Sequence, residues 1–350
     1  MFQKILFIVC ALACALLVAF HAPAMRAARA GFDLWLNSLM PALLPFFICT
    51  SLLRGAGLLS SATPFGLVLM SFVSGAPSGA RLVGEAYGQE DAPTPLCAAL
   101  NVISPMFIYG SFATSMLGIS RIATPVILSQ LIALCFVLPF VLRRLPAAKT
   151  ENAQRLSECP FSAVLFEAIS SSMLAVLNIC ATVILFMVLL ELLSATGALP
   201  ILAYPFAWLL GAAGAPKELA QTILTGIVEV TNGCKSLSAL DLPVRTVAAV
   251  SAFFFSFGGL CVMAQSTVFA RIKAKSYLLF KLVQGAAAAA SAYFLTPLFV
   301  TEAAAVFAPI GKAAIINNTL SASMIFAASL LGVAVVALLS GAMRRGRRRQ

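Results

Sequence analysis

Residues Ser74 to Arg81 read SGAPSGAR, and they interrupt an otherwise apolar run with two glycines, a proline and two serines. Arg81 and then Glu85 follow at once. In a bilayer, backbone that leaves a helix must find its hydrogen-bond partners in protein or in a water-filled cavity. An ionisable side chain at such a place marks a functional site by default. A second interruption, EVTNGCK, lies at Glu229 to Lys235. At an offset of 154 residues, Gly79 falls on Gly233 and Arg81 on Lys235. Paired interruptions in corresponding positions are the sequence signature of a transporter's binding site.

The surroundings of these two stretches are hydrocarbon. Apolar residues make up 61% of the 350 and charged residues only 10%, where a soluble domain carries about 25% charged. Apolar segments of roughly 20 residues recur, long enough to cross about 30 Å of hydrocarbon. The fold class that follows is an all-α polytopic membrane protein. Its net charge of +11 does not point to nucleic acid. Arg143, Arg144, Lys149 and Arg155 share one polar loop, Arg271, Lys273 and Lys275 a second, and five arginines from Arg344 to Arg349 a tail. Basic clusters flanking apolar spans set orientation in the membrane, and no aromatic-interleaved basic surface accompanies them.

The nine cysteines form no CxxC pair and sit mostly in apolar runs, as small hydrophobes do. The sequence therefore calls for no metal, no cofactor and no catalytic residues. HExxH, GxSxG and P-loop patterns are absent, and His21 is the single histidine, so the expected activity is not enzymatic. A non-transporting assembly scaffold is a further reading.

Taken in order, residues 5–21 give a first span, which also resembles a signal peptide in its charged start and small-residue end. Residues 34–56 give a second, with Trp35 as an interfacial anchor and kinks at Pro41 and Pro45. Residues 64–73 are too short to cross and read as one arm of a re-entrant or discontinuous helix. Asn101, Ser104 and Pro105 interrupt 96–118, and 122–142 is a plain span. Residues 162–195 exceed one crossing, so an interfacial turn is expected before a span at 173–195. Residues 246–270 are interrupted around Ser256, Gly258 and Gly259, and spans at 277–299 and 319–341 close the chain.

AALNVISPMFIYGS at 98–111 lies over SAFFFSFGGLCVMAQS at 251–266 with one slip, which extends the repeat. With the 143–160 loop, the 271–276 loop and the tail all cytoplasmic, residue 119 lies outside while its counterpart 271 lies inside. The two halves are then an inverted repeat. Inverted repeats with broken helices at mid-membrane describe many secondary transporters.

These motifs resemble those of the YlbJ/SpoVV sporulation integral membrane proteins, a family built from two nucleoside-recognition or Gate domains. LLPFFICTSLL at 43–53, SGAPSGARL at 74–82, NVISPMFIYGS at 101–111, EVTNGCK at 229–235 and SFGGLCVMAQ at 256–265 carry the likeness. Asn232 and Cys234 vary within their motif, and a piece near 200–213 has no counterpart in the first half. The domains this implies are an N-terminal span (1–30), a first gate repeat (31–143), a cytoplasmic loop (144–161), a second gate repeat (162–275), and C-terminal spans with the basic tail (276–350).

The resemblance implies a transporter that loads the developing spore with dipicolinic acid from the mother-cell side of the outer forespore membrane. A gate or channel component for a nucleoside, ion or other small solute, working with partner membrane proteins, is the alternative, and a homo-oligomer is left open. The motifs nominate Gly75, Pro77, Gly79, Arg81, Asn101, Ser104, Glu229, Thr231, Asn232, Gly233, Lys235, Ser256, Gly258 and Gln265 as substrate-binding. Arg81 and Lys235 would each take one carboxylate, with Asn101, Asn232 and Gln265 adding hydrogen bonds. Glu229 either pairs with Lys235 or Arg81, or carries a coupling proton. The bland readings stand beside these: Gly75-x-x-x-Gly79 is also a helix-packing motif, and Arg81 and Lys235 also suit interfacial snorkelling.

Overall fold

The computed structural model describes residues 2–55, 64–143, 145, 160–212 and 216–300. The expected span at 319–341, the basic tail and most of the 144–161 loop lie outside these. The described chain is helical without strands, and four helices are long and apolar enough to cross a membrane: Ser120–Leu142, Phe161–Ala195, Val244–Ser266 and Ala274–Phe299. The protein is an all-α polytopic membrane protein.

Helix α1 (Phe2–Ala19) matches the expected first span, but the chain then turns by 99° into α2 (His21–Leu34). Ala24, Ala27 and Gly31 are buried on α2, and a side chain at Gly31 would meet Ile184 and Met187. This small-residue stripe lets α2 lie close along α8 (Phe161–Ala195). Arg26 and Arg29, otherwise hard to place, fall on the exposed remainder. Trp35 is not an interfacial anchor. It is 5% exposed, and its indole N–H donates to the Val176 carbonyl at 2.9 Å. A π-helical turn, Trp35–Leu39, leads into α3 (Met40–Gly55), which continues through Pro45.

The turn expected inside 162–195 is absent. Helix α8 runs unbroken for 35 residues, about 50 Å at 1.5 Å per residue. No glycine or proline occurs within it, so nothing in the backbone ends it.

The two interruptions are both chain reversals or sharp breaks. Helices α4 (Pro64–Ser74) and α5 (Ser78–Tyr87) are joined by a turn in which Ser78 N–H donates to Gly75 C=O at 2.9 Å; the Ala76–Pro77 peptide is cis. Short α6 (Thr94–Leu100) ends in irregular residues 101–104 before a π-helical stretch, Phe107–Met116. Helix α7 (Ala123–Leu142) is the plain span. After α9 (Ala198–Gly211), helices α10 (Lys217–Val228) and α11 (Val230–Ser238) form a hairpin broken at Glu229. Gly226 and Gly233 pack so closely there that a Cβ on Gly233 would overlap the Gly226 Cα. Helices α12 (Val244–Phe257) and α13 (Gly259–Ser266) are broken by Gly258, whose φ of 82° suits glycine. Helix α14 (Ala274–Phe299) completes the described chain.

Loops outside the spans fix one face. Arg271 N–H donates to Gln89 C=O at 2.8 Å, and the Arg271 guanidinium meets Glu90 at 2.6 Å. The end of α5 and the basic 271–275 segment therefore lie on the same side.

Candidate functional site

The breaks meet. Ala76 N–H donates to Val102 C=O at 2.7 Å, which ties the α4–α5 turn to the irregular segment after α6. Ile103 N–H then donates to Phe255 C=O at 3.1 Å, joining the first half's break to the second's. Gln130 of α7 uses its amide N–H₂ on both the Ile103 and Phe255 carbonyls, at 3.1 Å each. Gln284 of α14 donates to Ala99 C=O at 3.1 Å, and the Lys281 ammonium to Asn101 C=O at 2.8 Å. Backbone freed by the breaks is thus satisfied by buried side chains, as a hydrocarbon environment demands.

Gln130 and Gln284 stand 154 residues apart, the offset that relates Gly79 to Gly233. Gln130 serves the breaks of both halves, and Gln284 the last turn of α6 in the opposite half. Sequence reasoning nominates neither of them, nor Lys281. The signal that could have found them is a polar residue buried in an apolar span and repeated at that offset.

Two cavities flank the tip of the α4–α5 hairpin. The first lies among α3, the hairpin and α8. Its polar lining is Ser51, Ser74, Ser78, Ser172 and Arg81. Ser51 and Ser172 hydroxyls are 3.4 Å apart, and Arg81 Nε donates to Glu85 at 3.0 Å. That ion pair is partly exposed, 25% for Arg81 and 38% for Glu85. Pairs of this kind contribute about 0.3–0.5 kcal/mol, so a competing carboxylate can displace Glu85 readily.

The second cavity has Ala76, Ser104, Glu229, Thr231 and Gln265 in its lining, with Leu39, Phe107 and Ile179 among its apolar walls. Glu229 is 3% exposed. Its carboxylate accepts from the backbone N–H groups of Thr231 at 3.0 Å and Asn232 at 2.6 Å, capping the N-terminus of α11. This corrects the expected ion pair. Among the described residues no cation meets Glu229. Arg81 is engaged with Glu85, and Lys235 is exposed in the last turn of α11.

The nominated residues accordingly separate. Pro77 and Arg81 line the first cavity, and Ser104, Glu229, Thr231 and Gln265 the second. One shared pocket holding Arg81 and Lys235 together is not what forms. The others line neither cavity. A Cβ on Gly75 would meet the Ser104 backbone at 2.6 Å, and one on Gly79 would collide with the Leu100 carbonyl, so both glycines serve close backbone approach. Gly233 does the same against Gly226.

Asn101 is fully buried at the junction of the halves, where its amide donates to the Ser266 and Tyr277 hydroxyls at 2.5 and 2.9 Å. Asn232 contributes its backbone N–H rather than its side chain. Ser256 is fully buried behind the break, and Gly258 supplies the positive φ between α12 and α13.

The chain is similar to the sporulation integral membrane protein YlbJ of Bacillus subtilis (strain 168), with 26% identity over 307 residues and coverage of 75% of each chain. No family model and no solved structure matches it.

Proposed function

We propose that this chain belongs with the sporulation integral membrane protein YlbJ that it resembles and carries a small organic anion across the membrane, with dipicolinate as the substrate and the outer forespore membrane as its place of work. The observation that carries the reading is the first cavity: a partly buried arginine beside the hydroxyls of Ser51, Ser78 and Ser172, at the turn between two short helices where α3 and α8 approach it. A planar dicarboxylate needs a bidentate donor for one carboxylate and hydroxyl or backbone N–H groups for the other. Arg81 supplies the fork by leaving Glu85. Ser51, Ser78 and Ser172 border the remaining space, while Ser74 keeps its O–H on the Met70 carbonyl at 2.6 Å.

The second cavity holds a carboxylate and would repel the same ligand, so the anion belongs with Arg81. Transport follows if the two gate repeats, related by inversion, rock about the junction of their breaks and expose the cavity to each side in turn.

Purified protein in vesicles, given labelled dipicolinate, nucleosides and simple dicarboxylates, is expected to accumulate dipicolinate. Loss of a charge-assisted hydrogen bond costs about 1.5–3 kcal/mol, so Arg81→Ala should lower uptake about 10- to 100-fold while membrane insertion is unchanged. Arg81→Lys keeps the charge, loses the fork, and should fall between. Normal uptake by Arg81→Ala would overturn the assignment, and uptake that requires a second polypeptide would support the gate-component reading instead.

A further inference from the structure

The second cavity presents a chemical problem that the anion does not solve. Glu229 is a nearly fully buried carboxyl with no cationic partner among the described residues, and apolar walls surround it. A buried net charge in this position calls for a counter-charge, which hydrogen bonds from neutral groups do not supply. Three donors already converge on the carboxylate: the backbone N–H groups of Thr231 and Asn232 and the Thr231 hydroxyl. An acceptor-only, ionised carboxylate suits such a set; a protonated carboxyl would have to turn one oxygen into a donor.

The remaining polar lining also offers oxygen. Ser104 contributes a hydroxyl, and Gln265 commits its amide N–H₂ to Thr182 Oγ1 and, at 3.6 Å, to Cys261 Sγ, which leaves its carbonyl oxygen as an acceptor. Hard oxygen donors carrying one negative charge match a small monovalent cation. No group of three His, Cys, Asp or Glu side chains that would hold a transition ion occurs among the described residues.

We infer that the Glu229 cavity is a sodium-sized cation site, with the Glu229 carboxylate, the Ser104 and Thr231 hydroxyls and the Gln265 carbonyl as its ligands. It lies across the α4–α5 tip from the Arg81 cavity: Ala76 lines one and Pro77 the other. A cation that fixes the α10–α11 tip against Ser104 also braces the break that borders the anion. The coupling of the two rests on the transport reading above. Binding of the cation does not.

The test uses the full chain purified in detergent, with sodium chloride replacing choline chloride at constant ionic strength. The thermal midpoint is expected to rise saturably with sodium, by a few degrees, as ligand linkage requires. Glu229→Gln should abolish the rise, and Arg81→Ala should keep it while losing uptake, which separates failure of this site from failure of the anion reading. Thr231→Val, close in volume, should need several-fold more sodium for the same shift and serves if Glu229→Gln does not accumulate. A midpoint indifferent to sodium, a midpoint that follows pH alone, or an unchanged sodium response in the variants of Glu229 or Thr231 overturns the inference.

Discussion

Gln130→Leu and Gln284→Leu are each expected to destabilise the protein by about 1–3 kcal/mol, the cost of one carbonyl left bare. Gln130 donates to the Ile103 and Phe255 carbonyls, but Phe255 C=O keeps the Ile103 N–H, so the substitution strips Ile103 alone. Gln284 donates to Ala99 C=O. Leucine fills similar space, so cavity formation adds little. Thermal unfolding of the purified variants in detergent checks the losses. An unchanged midpoint for either substitution would mean that the amide does not hold its break.

The second large effect is a reversal of sign. Gly→Ala in a helix ordinarily stabilises by about 0.5–1 kcal/mol. At Gly233 the added carbon would overlap the Gly226 Cα and lie 2.7 Å from Gly226 N. These are backbone atoms and cannot rotate away, so the α10–α11 hairpin must open. Overpacking of this kind costs about 1–3 kcal/mol, occasionally more, and Gly233→Ala is expected at the upper end. Gly110→Ala is the control: a Cβ there would have nothing within 4 Å, and stability should hold. Lower expression and a lower melting midpoint for Gly233→Ala alone confirm the contact; two equivalent variants refute it.

Much of the architecture is legible in the sequence because its signals are local. Gly75 and Pro77 mark a place where a membrane helix stops readily, and the chain does turn there. The turn wrongly expected within α8 has a local cause too. Length alone suggests it, while the absence of glycine and proline from 161 to 195 argues for continuity and is the better guide.

The site is harder to read. A buried glutamate invites pairing with a cation, but once α10 stops at Val228 the nearest donors to Glu229 are the N–H groups two and three residues on. Sequence shows the charge of Lys235 and not its exposure. Lys281 and Gln130 cannot be assigned from sequence because the carbonyls they serve lie 180 and up to 125 residues away. Only tertiary structure brings those partners together.

The Ile103–Phe255 junction has a consequence for any divided form of the protein. A gene severed between the codons for residues 143 and 160 yields two products. The N-terminal product lacks the amine and amide that cover Asn101 and Ala99, and the C-terminal one lacks the amide that covers Phe255. Neither fragment can complete its own backbone bonding inside lipid, so both must be synthesised together for either to persist.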